Sequence, residues 1–216
     1  MIGIGVTTYK RQENLNECLS KIKEHTKCNY ELYVATDTDF DRQGVAKRKN
    51  ECLKNLKNCE HLFLFDDDCF PISDTYVDFF VDAHRQTKEH HFNFCIDRLH
   101  NLKSTVFQGD YCIEVYEKVG GVFLFLTQTV LQKVGAFGEN YNLYGFEHIG
   151  YSMRIFDANL VSDFFTSLAD TDKHIFSHDY FTPNFLSTMS PDDKDKISNA
   201  NKKNFEVDVL QTFKPL

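Results

Sequence analysis

The apolar run Leu62-Phe63-Leu64-Phe65 empties without a spacer into three consecutive aspartates, Asp66-Asp67-Asp68. Such a run reads as a short buried strand, and a strand that stops there delivers three carboxylates to one point. Like charges held this closely repel and raise one another's pKa unless a cation sits among them, so the triplet points to a divalent metal. A solvated acidic turn is the competing reading.

The rest of the first half supplies the sheet to which this strand belongs. Ile2 to Val6 reads as a first strand, and Leu15, Cys18, Leu19 and Ile22 then recur at helical spacing. Tyr30 to Ala35 reads as a second strand ending in the acidic loop 36–41. Gly44 leads into a helix with the face Val45, Cys52, Leu53 and Leu56, and His61 to Phe65 is the third strand. Alternating strands and helices imply a parallel sheet flanked by helices, in which ligands gather beyond the strand C-termini. Thr7-Thr8-Tyr9, Asp37-Thr38-Asp39 and Asp66-Asp67-Asp68 converge at that edge.

Beyond a helix expected over Ser73 to His90 the period changes. Asp110 to Tyr116 alternates like an antiparallel strand, and Gly120-Gly121 precedes the apolar Val122 to Leu126. The fold class expected is therefore α/β, a mixed but mainly parallel sheet with a small antiparallel element. Short helices are expected over 127–134 and 147–158, with a strand from Asp163 to Leu168. Ser190-Pro191-Asp192-Asp193 combines a hydroxyl cap, a proline at the first helical position and acids in the first turn. A polar C-terminal helix to about Asn204 follows, as a lid, a docking surface or a cap on the sheet.

A length of 216 residues suits a single domain, and 42% apolar residues with 21 phenylalanines describe a folded chain. The net charge of −8 argues against nucleic-acid binding, because phosphate backbones reward excess Lys and Arg. The 7 cysteines form no C-x-x-C pair and fit reduced thiols. With neither a signal peptide nor a membrane span in the sequence, a soluble, cytoplasmic protein is expected.

Five blocks in order resemble the GT-A fold glycosyltransferases, in particular the group that shares a spore-coat-like nucleotide-diphospho-sugar transferase core. Gly5-Val6-Thr7-Thr8-Tyr9-Lys10-Arg11 is similar to the opening strand and Pro-Thr-Tyr-Asn-Arg loop, with Thr7 at the proline. Glu31 to Asp37 is similar to the second strand, with Thr36 where the first of two aspartates is common. Gly44-Val45-Ala46-Lys47-Arg48-Lys49-Asn50 resembles Gly-Val-Ala-x-Ala-Arg-Asn, Lys49 standing at the arginine, and Asp66-Asp67-Asp68 fills the Asp-x-Asp (DXD) slot. Gly145 to Ile155 resembles the Gly-Gly-Glu-(Asp/Asn) acceptor-site helix, with His148 where an aspartate often serves as base.

The resemblance implies a metal-dependent transferase moving a sugar from a nucleoside diphosphate, UDP foremost, to a hydroxyl acceptor on a glycan, protein or lipid, with inversion. It divides the chain into a nucleotide-binding half (1–100), an acceptor half (101–180) and a C-terminal extension (181–216). Mn²⁺ or Mg²⁺ would bridge the diphosphate, held by Asp68 and Asp66, with Asp66 alternatively on the ribose and Asp67 facing the donor sugar. A further ligand is expected at His178, or else His174. Thr7, Thr8, Tyr9 and Asp37 would receive the base, Arg11 and Lys49 the diphosphate, and Gly121 the donor sugar. Glu147 or His148 would be the base, and Arg154 a structural ion-pair partner. A nucleotide-sugar hydrolase or phosphotransferase, and a non-catalytic nucleotide-sugar-binding protein, are the rival readings.

Overall fold

The computed structural model describes residues 1–95, 97–141, 143–178, 190–208 and 216. In chain order the first half gives β1 (Ile2–Tyr9), α1 (Gln12–His25), β2 (Tyr30–Asp37), α2 (Val45–Asn55), β3 (His61–Asp66), β4 (Cys69–Pro71), α3 (Tyr76–Thr87) and β5 (His91–Phe94). The turn α4 (Arg98–Asn101) leads to β6 (Leu102–Gln108), β7 (Tyr111–Tyr116) and β8 (Gly120–Thr127). α5 (Gln128–Lys133), α6 (Glu147–Asp157), β9 (Thr166–Leu168), β10 (Ile175–Ser177) and a C-terminal helix, Pro191–Asp208, follow.

The central sheet runs β2-β1-β3-β8-β5. β1 pairs in parallel with β2 and β3, while β8 is antiparallel to both β3 and β5. The mixed, mainly parallel sheet expected from the sequence is thus present. β6, β7 and β9 form the smaller antiparallel sheet, and β4 pairs with β10.

Strand alternation sorts the two apolar runs by side-chain type. Phe63, Phe65, Phe123 and Phe125 enter one core with α1 and α3, whereas Leu62, Leu64, Leu124 and Leu126 enter the other with α2, α5 and α6. Phe63 packs edge-on against Phe80 of α3 and Phe125 of β8, at 5.9 and 5.3 Å between ring centroids. Burying each such side chain contributes about 1.5–3 kcal/mol, which makes β3 and β8 the centre of the fold.

Where the elements differ from expectation the reason is physical. The helix expected over 73–90 ends at Thr87, and β5 follows with His91 and Asn93 fully buried. Polar residues at inward positions mask a strand; here His91 bonds the Phe125 carbonyl at 2.8 Å and Ser152 at 2.9 Å. β4, β6 and β10 were also unforeseen, and the strand expected from Asp163 begins at Thr166. The C-terminal helix starts as foreseen, with the Asp193 N–H donating to Ser190 Oγ at 3.2 Å. Among the described residues no helix is long and apolar enough to cross a membrane.

Candidate active site

Parallel pairing aligns Thr7 with Asp66 and Tyr9 with Asp37, so the ends of β1, β2 and β3 share one edge. Antiparallel β8 brings its beginning, Gly120-Gly121, to the same edge. Thr7 Oγ1 donates to Asp66 Oδ1 at 2.6 Å, and Thr8 Oγ1 to Asp67 Oδ2 at 2.5 Å. Arg11 follows β1, and its guanidinium donates to Asp68 Oδ2 at 2.7 Å and pairs with Asp67. Lys49, only 1% exposed, stands 3.4 Å from Asp66 Oδ1 and donates to the Gly121 carbonyl. Two cations thus face three carboxylates.

The three aspartates are not equivalent. Asp67 is wholly buried. Burial pushes its carboxyl up to about 6, against the opposing pull of Arg11 and Thr8. Asp67 therefore anchors the junction, its carboxylate held by Thr8 and Arg11. Lys49 is enclosed likewise, its ammonium lying between Asp66 and the Gly121 carbonyl.

Around the second strand, Asp37 Oδ1 accepts from the Gln43 N–H at 2.7 Å and Arg48 Nε at 3.1 Å, and Oδ2 from the Gly44 N–H at 3.0 Å. The acidic loop thus folds about Asp37, which spends most of its acceptor capacity there instead of on a base. Tyr9 donates to Asp39 at 2.8 Å and carries the Arg42 guanidinium 3.9 Å above its ring. Arg42 and Arg48 were not foreseen; aspartates at 37, 39 and 41 were the available signal that cations must lie nearby. Thr7, Thr8, Tyr9, Arg11, Asp37, Gly44, Val45, Arg48 and Asp66 line an open cleft.

Glu147 opens α6 behind two residues with left-handed backbone, Gly145 (φ +98°) and Phe146 (φ +70°). For the phenylalanine that conformation costs about 1–2 kcal/mol. Glu147 is buried, with Oε1 3.5 Å from His148 Nδ1, and its Oε2 takes no hydrogen bond among the described residues. Burial alone would push this carboxyl up, but His148 and then Lys49 hold it down at about 2. His148 Nε2 donates to the Val119 carbonyl at 3.1 Å, which leaves Nδ1 toward Glu147. A Cβ at Gly121 would lie 2.9 Å from that Nδ1, so this glycine makes room for the imidazole.

The main-chain N–H of His178 donates to the Asp68 carbonyl at 3.0 Å, which puts the two residues side by side. Its imidazole, however, turns to Glu17 at 3.4 Å and packs edge-on against Phe70 and Phe176. His174 stacks on Phe79 at 4.1 Å. Among the described residues no three His, Cys, Asp or Glu side chains are grouped to hold a metal. Arg154 donates to the Val134 and Ala136 carbonyls, tying α6 to the end of α5.

The fold is the GT-A fold of glycosyltransferases, as expected from the motifs. No protein-family model matches the chain. In sequence it is 24% identical over 197 residues, 76% of each chain, to an uncharacterized glycosyltransferase of Acanthamoeba polyphaga mimivirus. In structure it is similar to the catalytic domain of Drosophila beta1,4-galactosyltransferase 7 in complex with xylobiose, with a TM-score of 0.56 at 14% identity over 89% of this chain and 77% of that one. It is also similar to S. aureus TarS in complex with UDP-GlcNAc, with a TM-score of 0.61 at 12% identity over 98% of this chain and 67% of that one.

Proposed function

We propose that the chain transfers a sugar from a nucleoside-diphosphate sugar, UDP-linked, to a hydroxyl acceptor by a single inverting displacement. The observation that carries this is Glu147: a buried carboxylate held ionised, with one oxygen toward His148 and the other without a hydrogen bond among the described residues, joined electrostatically through Lys49 to the aspartate edge. Glu147 Oε2 accepts the acceptor's proton as the acceptor oxygen bonds to the anomeric carbon and the bond to the diphosphate breaks. His148, fixed by the Val119 carbonyl, orients Glu147 and is not itself the base.

Thr7, Thr8 and Tyr9 line the cleft for the base, and Arg11 at its mouth faces the diphosphate. Asp66 and Asp68 suit Mn²⁺ or Mg²⁺ by donor chemistry, since such ions take one or two carboxylates and complete their shell with phosphate oxygens and water. His178, beside Asp68 in the main chain, is the candidate third ligand. An ion there would neutralise charge developing on the departing diphosphate. Support for UDP comes from the TarS complex with UDP-GlcNAc, and for a glycan acceptor from the galactosyltransferase complex with xylobiose.

The test is a panel of UDP-sugars with saccharide acceptors and Mn²⁺, the anomeric configuration of the product being read by NMR. Acceptor-dependent transfer with inversion is expected. Donor cleavage indifferent to acceptor would indicate a hydrolase, and donor binding without turnover a binding protein.

A further inference from the structure

Glu147 owes its position to a backbone that does not adopt its shape unaided. Gly145 and Phe146 are consecutive left-handed residues, and Phe146 has a side chain that opposes that conformation. A strained segment persists where its surroundings over-determine it. Here the surroundings are identifiable. Asn201 Nδ2 donates to the Tyr144 carbonyl at 2.7 Å and to the Gly145 carbonyl at 3.3 Å. One turn on, Asn204 Nδ2 donates to the Asn140 carbonyl at 2.7 Å, and the Phe205 ring lies 5.6 Å from that of Phe146. From the opposite side the Val45 N–H, at the rim of the donor cleft, donates to the Leu143 carbonyl at 2.9 Å.

We propose that Asn201 is a positioning residue: its side-chain amide clamps Tyr144 and Gly145 and so sets Glu147 for acceptor turnover, without taking part in donor capture. This rests on the reading of Glu147 as the base. Asn201 is fully buried in an otherwise polar helix. A buried amide is tolerated where its hydrogen bonds are made, and here two of them go to carbonyls of the segment that launches α6. Without the clamp these carbonyls lose their partner and Phe146 is released to relax. Glu147 then leaves the Lys49 and His148 environment. The donor cleft, built from β1, β2, β3 and the start of α2, meets this segment at the Val45–Leu143 bond, ahead of the two carbonyls that Asn201 holds.

The experiment compares the parent protein with Asn201→Ala and with Asn201→Ser, whose hydroxyl can replace one of the two bonds. Hydrogen exchange across residues 143–150, UDP affinity by calorimetry, and kcat and acceptor KM are measured on each. Expected for Asn201→Ala are faster exchange in 143–150, a kcat lower by about tenfold, the rate equivalent of about one hydrogen bond, and UDP affinity within about twofold of the parent. Asn201→Ser should lie between the two and remains informative if the alanine variant fails to fold. Unchanged exchange overturns the proposal, as does UDP affinity falling in step with kcat, which marks a general structural lesion. A parent that binds UDP but transfers nothing would overturn the reading of Glu147 instead, while the exchange data would still decide whether Asn201 holds the segment.

Discussion

One oxygen of the Glu147 carboxylate faces His148 and the other takes no hydrogen bond among the described residues. Glu147→Gln keeps the shape and removes the basicity, so kcat should fall by about 10²–10⁴-fold with UDP affinity unchanged, as steady-state kinetics and calorimetry will show. The pH dependence follows from sign. A folded-state value lowered from 4.5 to about 2 means the ionised form dominates above the lower number. Glu147 then contributes no loss of kcat/KM between pH 8 and 5, and an acid limb in that range that disappears in Glu147→Gln would contradict the assignment. Lys49→Met leaves Asp66 and Glu147 without their buried counter-charge and should destabilise the fold by about 3 kcal/mol in urea denaturation. Sequence made the aspartate triplet and Glu147 legible because charge after an apolar run, and acid at a helix start, are local patterns. The division of labour was not legible, because Asp67 is fixed by Thr8 and Arg11 and Lys49 by Gly121, partners far away in the chain.

Helices and strands meet the site through glycines that sequence marks only as turns or breaks. A Cβ on Gly5 would fall 2.7 Å from Cys52 Cβ and 2.7 Å from Leu64 Cδ2, so β1 and α2 approach as closely as they do only because the side chain is missing. Gly5→Ala should cost about 1–3 kcal/mol of stability. Gly121→Ala meets His148 at Nδ1, Cγ and Cβ, so the residue as a whole must shift away from the Val119 carbonyl and Glu147. Thermal stability and kcat should then both fall, and an unchanged kcat would show that the His148 position does not matter to turnover. The long elements β1, α1, α2, β3 and β8 were legible from periodicity. β5 was not, since His91 and Asn93 pass for a helix end until their partners on β8 and α6 are known.

Across the molecule as a whole, one group of histidines lies away from the aspartate edge. His61 begins β3 at the far end of the sheet; His84 meets it edge-on, and His90 lies tilted against His84, at 5.6 and 4.7 Å between ring centroids. Burial holds His61, His90 and His91 down at about 4, from 6.5. The unfolded chain takes up these protons at higher pH than the folded one, so their stability contribution is complete above 6.5 and is lost as pH falls toward 4. The melting temperature should drop by about 5 °C or more between pH 7 and 5, and a flat profile would contradict the burial of these rings. β8 has a consequence for how such a chain is made. It lies between β3 and β5 and is the partner through which β5 joins the sheet. A nascent polypeptide that has not yet emerged past Thr127 leaves the Leu62 to Phe65 edge bare, so the sheet begun by β1, β2 and β3 is completed only after most of the protein has left the ribosome.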